Sequence, residues 1–302
     1  NFSKSSSSSF VTTAMSMAMN LEDKEDASRT SLIGHHYNEK ETAILVTTNW
    51  IPSLPSISMI QTVFESFSYL RGLPPSAPIY ITIDALPFIN PKKVTPEIIQ
   101  QHQQKQIQLE EYSFNLMKYF FNHENFTNVR IISNKEHLHI GGNLNKTLGI
   151  LSPETKYLYS FQHDFKFNKD VNHTLLVSAM KEYPDILKNV RFEKHPYIDR
   201  RTPADKCWNS TGFVFQYQGR NFSKTASWSD NNHFASVEYY KKLMKKLISV
   251  RRPMEAPMMH DGFNQGKCSE WAQHVYGGPR EGAAYIIHLD GRLSYGIENK
   301  DT

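Results

Sequence analysis

Two short apolar runs, Ala43-Ile-Leu-Val46 and Ile79-Tyr-Ile-Thr-Ile83, flank a segment whose apolar residues recur at helical spacing, and this order restricts the fold more than any other feature. Runs of this length read as buried strands. Between them Ile57, Ile60, Val63, Phe64, Phe67 and Leu70 fall on one helix face, with Ser56 as the expected N-cap and Gly72 placed to end the helix. Strand, helix and strand in so short a stretch make a βαβ unit, and its crossover implies a parallel sheet. Thr95-Pro96 then starts a long, polar-faced helix to about Asn122, followed by a strand at Val129 to Ile132, a short helix around Asn143 to Leu151 and a strand at Lys156 to Phe161. Further on, Gly212 to Tyr217 and Ala284 to Ile287 read as strands and Ser236 to Val250 as a helix. The expected class is α/β, with a mixed, mostly parallel central sheet flanked by helices.

Composition narrows the partners. A chain of 302 residues can bury a large core in one unit. Its charged fraction of 21% and net charge of +4 give no support to nucleic acid as a partner, while the mild basicity suits an anionic substrate. Lys241, Lys242, Lys245, Lys246, Arg251 and Arg252 surround one helix whose other side carries Tyr239, Tyr240, Leu243, Leu247 and Ile248, so they read as a solvated face. Tyr, Phe, Trp and His are plentiful, and such rings line sugar and nucleotide sites, although they fill cores more often. Only Cys207 and Cys268 are present, which excludes a cysteine-built zinc site and leaves one possible disulfide.

Asn-x-Ser/Thr sequons begin at Asn1, Asn125, Asn145, Asn172, Asn209 and Asn221, a number that leans toward a secretory lumen such as the Golgi. Residues 1–40 hold the run Ser5 to Ser9 and the charged stretch Glu22 to Asp26 with hardly any apolar periodicity, and read as a flexible stem or tail. No apolar run reaches the roughly 20 residues needed to cross a bilayer. The chain begins at Asn, and a membrane anchor ahead of that residue is an expectation for the full-length protein.

In open α/β sheets ligands bind beyond the carboxyl ends of the strands. The first strand ends in Thr47-Thr-Asn49, the second in Asp84, and the strand at Lys156 to Phe161 runs into Gln162-His163-Asp164. Small hydrogen-bonding groups suit a base and ribose, and the last set offers a carboxylate beside an imidazole. Neither Gly-x-x-x-x-Gly-Lys-Ser/Thr nor Gly-x-Gly-x-x-Gly follows the first strand, and Gly-x-Ser-x-Gly is absent. A diphosphate bound here needs another source of positive charge, and a hard cation on oxygen or imidazole ligands supplies it, with Asp164 as the leading candidate ligand.

The order of Leu45-Val-Thr-Thr-Asn49, Ile81-Thr-Ile-Asp84, Asn145-Lys-Thr-Leu-Gly-Ile150 and Tyr157-Leu-Tyr-Ser-Phe-Gln-His-Asp164 resembles the family-2-like glycosyltransferases with the GT-A fold. The resemblance covers residues 42–170 well and the rest loosely. It implies a transferase that moves a sugar from a nucleoside diphosphate, UDP or GDP, to a glycan or glycoprotein acceptor, with inversion and with Mn²⁺ or Mg²⁺. It further implies that Thr47, Asn49 and Asp84 hold the nucleoside, that Lys146 faces the phosphates and that Asp164 binds the cation; Gln162 and His163, in the same segment, are further donor-side candidates. Residues 41–302 are then one catalytic domain, with a nucleotide-sugar half at 41–170 and an acceptor half at 171–302. The chain departs from the family's Asp-x-Asp element at Gln162, so Asp164 needs a distant partner, and the resemblance points to His288 after the last short strand.

Inversion requires a base for the acceptor hydroxyl, normally a carboxylate. Asp230 in Trp228-Ser-Asp-Asn-Asn-His233 is the first candidate, with Glu255 and Asp261 behind it, and Trp228 and Trp271 as aromatic faces for an acceptor sugar. Two other readings stay open: a sugar nucleotidyltransferase, which would normally carry a glycine-rich phosphate loop, and a catalytically inactive glycan-binding relative.

Overall fold

The computed structural model describes residues 40–51, 53–123, 126–195, 214–225, 228–247, 254–259, 271, 273–277 and 284–289, all within one unit spanning 39–302. At its centre β1 (Thr42–Thr48) lies parallel between β3 (Ile79–Ile83) and β5 (Tyr157–Gln162), and β3 pairs in parallel with β4 (Val129–Ser133). Every residue of β1 and β3 is buried, which is why these strands read as unbroken apolar runs without alternation. The connections are helical: α1 (Ser58–Glu65), α2 (Pro96–Phe121) and α3 (His139–Leu148).

The remaining strands join the same sheet beyond β5. They are β8 (Asn189–Arg191), β9 (Val214–Tyr217), β10 (Arg220–Thr225), β11 (His233–Ser236) and β12 (Gln273–Tyr276), and the sheet order is β4-β3-β1-β5-β11-β8-β12-β10-β9. Only β11 and β10 run against their neighbours, so seven of these nine described strands point the same way. The sheet is therefore mixed and mostly parallel with helices on it, the α/β layout expected of a GT-A-like chain. Two small ladders complete the described strands: β2 (Leu70–Arg71) with β7 (Val171–Asn172), and β6 (Phe165–Phe167) with β13 (Ile286–His288).

Local chemistry explains most element ends. Thr95 caps α2, its hydroxyl accepting from Ile98 N at 3.3 Å with Pro96 in the first turn. Asn172 does the same for α4 (His173–Glu182), accepting from Leu175 N at 2.9 Å. The apolar side of α5 (Val237–Leu247) buries Tyr239, Tyr240, Leu243, Met244 and Leu247 in a cluster with Trp228, Met254, Met258 and Trp271, leaving its lysines outward.

Several expected boundaries move. Ile57, not Ser56, is the N-cap of α1, and no side chain caps it; Ser56 Oγ instead accepts from Ser58 N at 3.3 Å. The helix stops at Glu65, so Phe67 sits in a 3-10 turn and Leu70 in β2, whose pairing with β7 competes with further helix. Gly72, at φ +82°, follows that strand rather than the helix. The short helix starts at His139 rather than Asn143. Cys207, Cys268, Asp261 and the sequons at Asn1, Asn125 and Asn209 lie outside the described residues.

Candidate active site

The parallel strands β1, β3, β4 and β5 end on one edge of the sheet, β8 ends there too, and the reversed β11 begins there. A cleft of about 1000 Å³ opens at that edge. Of the donor-side residues singled out from sequence, Thr47, Asn49, Asp84, Gln162 and His163 line it, and so do Asp164, His288, Asp230 and Glu255.

Asp164 occupies the tight turn between β5 and β6, and β13 pairs with β6 so that His288 stands opposite Phe165. That pairing brings His288 Nε2 to 3.0 Å from Asp164 Oδ2, with the imidazole edge against the Phe165 ring and Leu289 N donating to Asp164 O at 2.8 Å. The Asp164 carboxylate is nearly buried, yet among the described residues its Oδ1 has no hydrogen-bond partner. A buried carboxylate oxygen without a donor is costly unless something charged meets it. Among the described residues no group of three His, Cys, Asp or Glu could hold a metal ion. Asp164 and His288 could supply two donors to a hard cation, which would need its remaining ligands from elsewhere.

Across the cleft the loop before β11 carries Asp230. Gln273 grips the preceding residue at both ends of its peptide: Oε1 accepts from Ser229 N and Nε2 donates to Ser229 O, each at 2.8 Å. Glu255 Oε1 accepts from Ser229 Oγ at 2.6 Å and from Asp230 N at 3.3 Å. Arg191, ion-paired with Glu193 at 2.6 Å, also donates to Gln273 Oε1 at 3.3 Å. Burial, then the charge of Glu255 and a hydrogen bond with it, then the charge of Asp164, push the Asp230 carboxyl up to about 7. A carboxylate that changes protonation near neutrality is suited to taking a proton.

The first strands use their polar groups differently. Asp84 Oδ1 accepts from Leu138 N at 2.7 Å and Oδ2 from His139 N at 2.9 Å, and His137 Nδ1 lies 3.0 Å from Oδ2. The carboxylate therefore fixes the entry to α3, where His139 adopts φ +55°, a left-handed conformation that costs about 1 kcal/mol without Gly. Thr47 Oγ1 donates to Phe161 O at 3.1 Å, and His163 turns to the end of β1, its N donating to Thr47 O at 3.0 Å. Gly141 in α3 leaves only 3.1 Å between an added Cβ and Met254 Cγ, so the absence of a side chain there seats the residue before Glu255.

Three expected roles are corrected. Trp228 and Trp271 do not face the cleft; both are buried in the α5 cluster, with Trp228 Nε1 donating to Tyr239 OH at 2.9 Å and Lys246 Nζ lying 5.3 Å from the Trp271 ring centroid. Lys146 does not line the cleft either, and its ammonium donates to Asn134 Oδ1 at 2.7 Å. Sequence reasoning also passed over Trp50, His137 and His139, which do line the cleft. The spacing His137-x-His139 just ahead of a helix was a visible signal. Lys105 Nζ stands 4.4 Å from the Trp50 ring centroid, and Trp50 Nε1 donates to Gln108 Oε1 at 3.1 Å.

No family model matches the chain, and no curated protein matches it. Among solved structures, the chain is similar to residues 1–349 of TarS from S. aureus at 13% identity and a TM-score of 0.39, covering 82% of this chain and 60% of that one. The same protein in complex with UDP matches with the same values. A 4-diphosphocytidyl-2C-methyl-D-erythritol synthase from Anaerococcus prevotii matches at 10% identity and a TM-score of 0.41, covering 82% of this chain and 93% of that one.

Proposed function

We propose that the chain is a glycosyltransferase that moves a sugar from a nucleoside diphosphate to a glycan or glycoprotein acceptor with inversion. The observation that carries this reading is the meeting, in one strand-end cleft, of the Asp164–His288 pair and the Asp230 carboxyl. Asp164 and His288 would hold Mn²⁺ or Mg²⁺, which when bound supplies positive charge to the departing diphosphate. Thr47, Asn49 and Trp50, at the end of β1, supply the wall for the base and ribose. In the transfer the acceptor oxygen forms a bond to the anomeric carbon as the bond to the diphosphate oxygen breaks. The hydroxyl proton passes to Asp230, which must enter the step ionised. Glu255 holds the Asp230 backbone and, by its charge, keeps the Asp230 proton affinity high enough for the task.

The test is a thermal-shift screen across nucleoside diphosphate sugars with and without Mn²⁺. Stabilisation by one nucleotide that depends on Mn²⁺ is the expected result. Stabilisation by free glycans alone would replace this reading with a glycan-binding module, and stabilisation by none of them would remove it.

A further inference from the structure

Gln162 stands where the resemblance would put a carboxylate, and its surroundings give it a different task. Its Nε2 donates to Asp230 O at 2.9 Å. In return Asn232, wholly buried, accepts from Gln162 N through Oδ1 at 3.0 Å and donates to Phe165 O through Nδ2 at 3.2 Å. Its own carbonyl accepts from Phe192 N at 2.9 Å. The turn that carries Asp164 and the loop that carries Asp230 are thus stitched in both directions. Gln162 reaches from the turn to the loop, and Asn232 reaches from the loop to both ends of the turn.

We propose that Gln162 and Asn232 form a reciprocal latch that sets the spacing between the Asp164 turn and the Asp230 loop, and that Gln162 is a positioning residue acting as a hydrogen-bond donor rather than a substitute cation ligand. This place calls for a hydrogen-bond donor. A carboxylate at 162 has no hydrogen to give, so it would face the Asp230 carbonyl oxygen with both groups acting as acceptors. It would also add a fifth carboxyl group to a cleft that already holds Asp84, Asp164, Asp230 and Glu255. Restoring a carboxylate should therefore loosen the loop and gain little at the cation. The functional consequence rests on the reading that Asp164 and Asp230 act on one pair of substrates; the latch itself does not.

The experiment compares the full chain with Gln162→Glu and Gln162→Met, the second lacking both donor and charge. The metal-free readout is amide hydrogen exchange. Residues 229–232 are expected to exchange at least about tenfold faster in both variants, a loss of roughly 1.4 kcal/mol of local protection, while β1 and β5 keep their rates. Mn²⁺ alone is then titrated, followed by its electron paramagnetic resonance and by the broadening it causes at the Asp230 amide proton. The expected result is no tighter binding in Gln162→Glu and a changed broadening at Asp230, because the loop no longer keeps its distance. Unchanged loop exchange in both variants overturns the latch, and Mn²⁺ binding that tightens in Gln162→Glu overturns the assignment of position 162 to a donor rather than a cation ligand. If the unsubstituted protein binds no Mn²⁺, the cation reading fails by itself and the exchange data still decide the latch.

Discussion

Asp84 and Asp164 both stand at the ends of parallel strands on the same edge of one sheet, and both are almost fully buried, yet their oxygens are used in opposite ways. Asp84 accepts from two backbone N–H groups and faces His137, so both of its oxygens are engaged in shaping the start of α3. Asp164 Oδ1 has no donor among the described residues, and Oδ2 turns to an imidazole that arrives from more than a hundred residues away. A strand-terminal carboxylate can build the loop that follows it or be held for a ligand. The difference separates the residue that shapes the wall from the residue on which chemistry would turn.

The comparison breaks most sharply at Asp164. Asp164→Ala is expected to lower transfer by about a thousandfold, on the order of 4 kcal/mol of transition-state stabilisation, with the melting temperature almost unchanged because one orphaned oxygen disappears with the carboxylate. Turnover within tenfold of the unsubstituted chain would remove Asp164 from the chemistry. Asp84→Ala should do the converse. It strips acceptors from two backbone donors and the entry to α3, at a cost of about 2 to 4 kcal/mol, visible as a fall of several degrees in Tm by calorimetry. A Tm within a degree of the unsubstituted protein would show that Asp84 does not hold the entry to α3.

Asp230 extends the comparison to a third carboxyl, one whose proton affinity is raised. With its pKa raised from 3.8 to about 7, the base form is lost below neutrality, and kcat/KM should fall about tenfold per pH unit below 7. The sign for stability is opposite to that for activity. The folded chain holds this proton up to about 7 while the unfolded chain releases it near 3.8, so the contribution is complete below 3.8 and is lost as pH rises through 7. Glu255→Gln removes the second-largest cause of the shift and should move the acid limb of the rate profile to lower pH. A limb that stays in place would show that Glu255 does not set the Asp230 proton affinity.

What could be read from sequence was local. β1, β3 and the Thr95-Pro96 start of α2 follow from contiguous residues, because the apolar run and the cap are each complete within a few positions. β8, β11 and β12 escaped notice because they are three or four residues long and bury Asn189, His233, Gln273 and His274, which an apolar pattern cannot reveal. Trp228 and Trp271 were misread for a related reason, since an indole that packs against Tyr239 and one that stacks on a sugar look alike in one dimension. Asp164 and Asp230 could be nominated from their places after strands, but the grip of Gln162, Asn232 and Gln273 on their loops depends on pairings between distant segments.

The smallest effect belongs to Lys146, where the resemblance and the geometry disagree. A phosphate-facing lysine would lose a charge-assisted contact on substitution, and turnover would drop tenfold or more with a raised KM for the donor. The side chain instead donates to Asn134, which in turn bonds Asn143, and it is Asn143 that lines the cleft. The ammonium is thus two hydrogen bonds removed from the ligand's space, and its loss should be felt only as slackness in Asn143. Lys146→Ala is therefore expected to change turnover by no more than about twofold and stability by less than about 0.5 kcal/mol, as for surface substitutions generally. A tenfold rise in KM with kcat preserved would mean that Lys146 leaves Asn134 when the diphosphate arrives. In that case the wall containing α3 would also supply charge, and the division between a shaping side and a reacting side of the cleft would have to be redrawn.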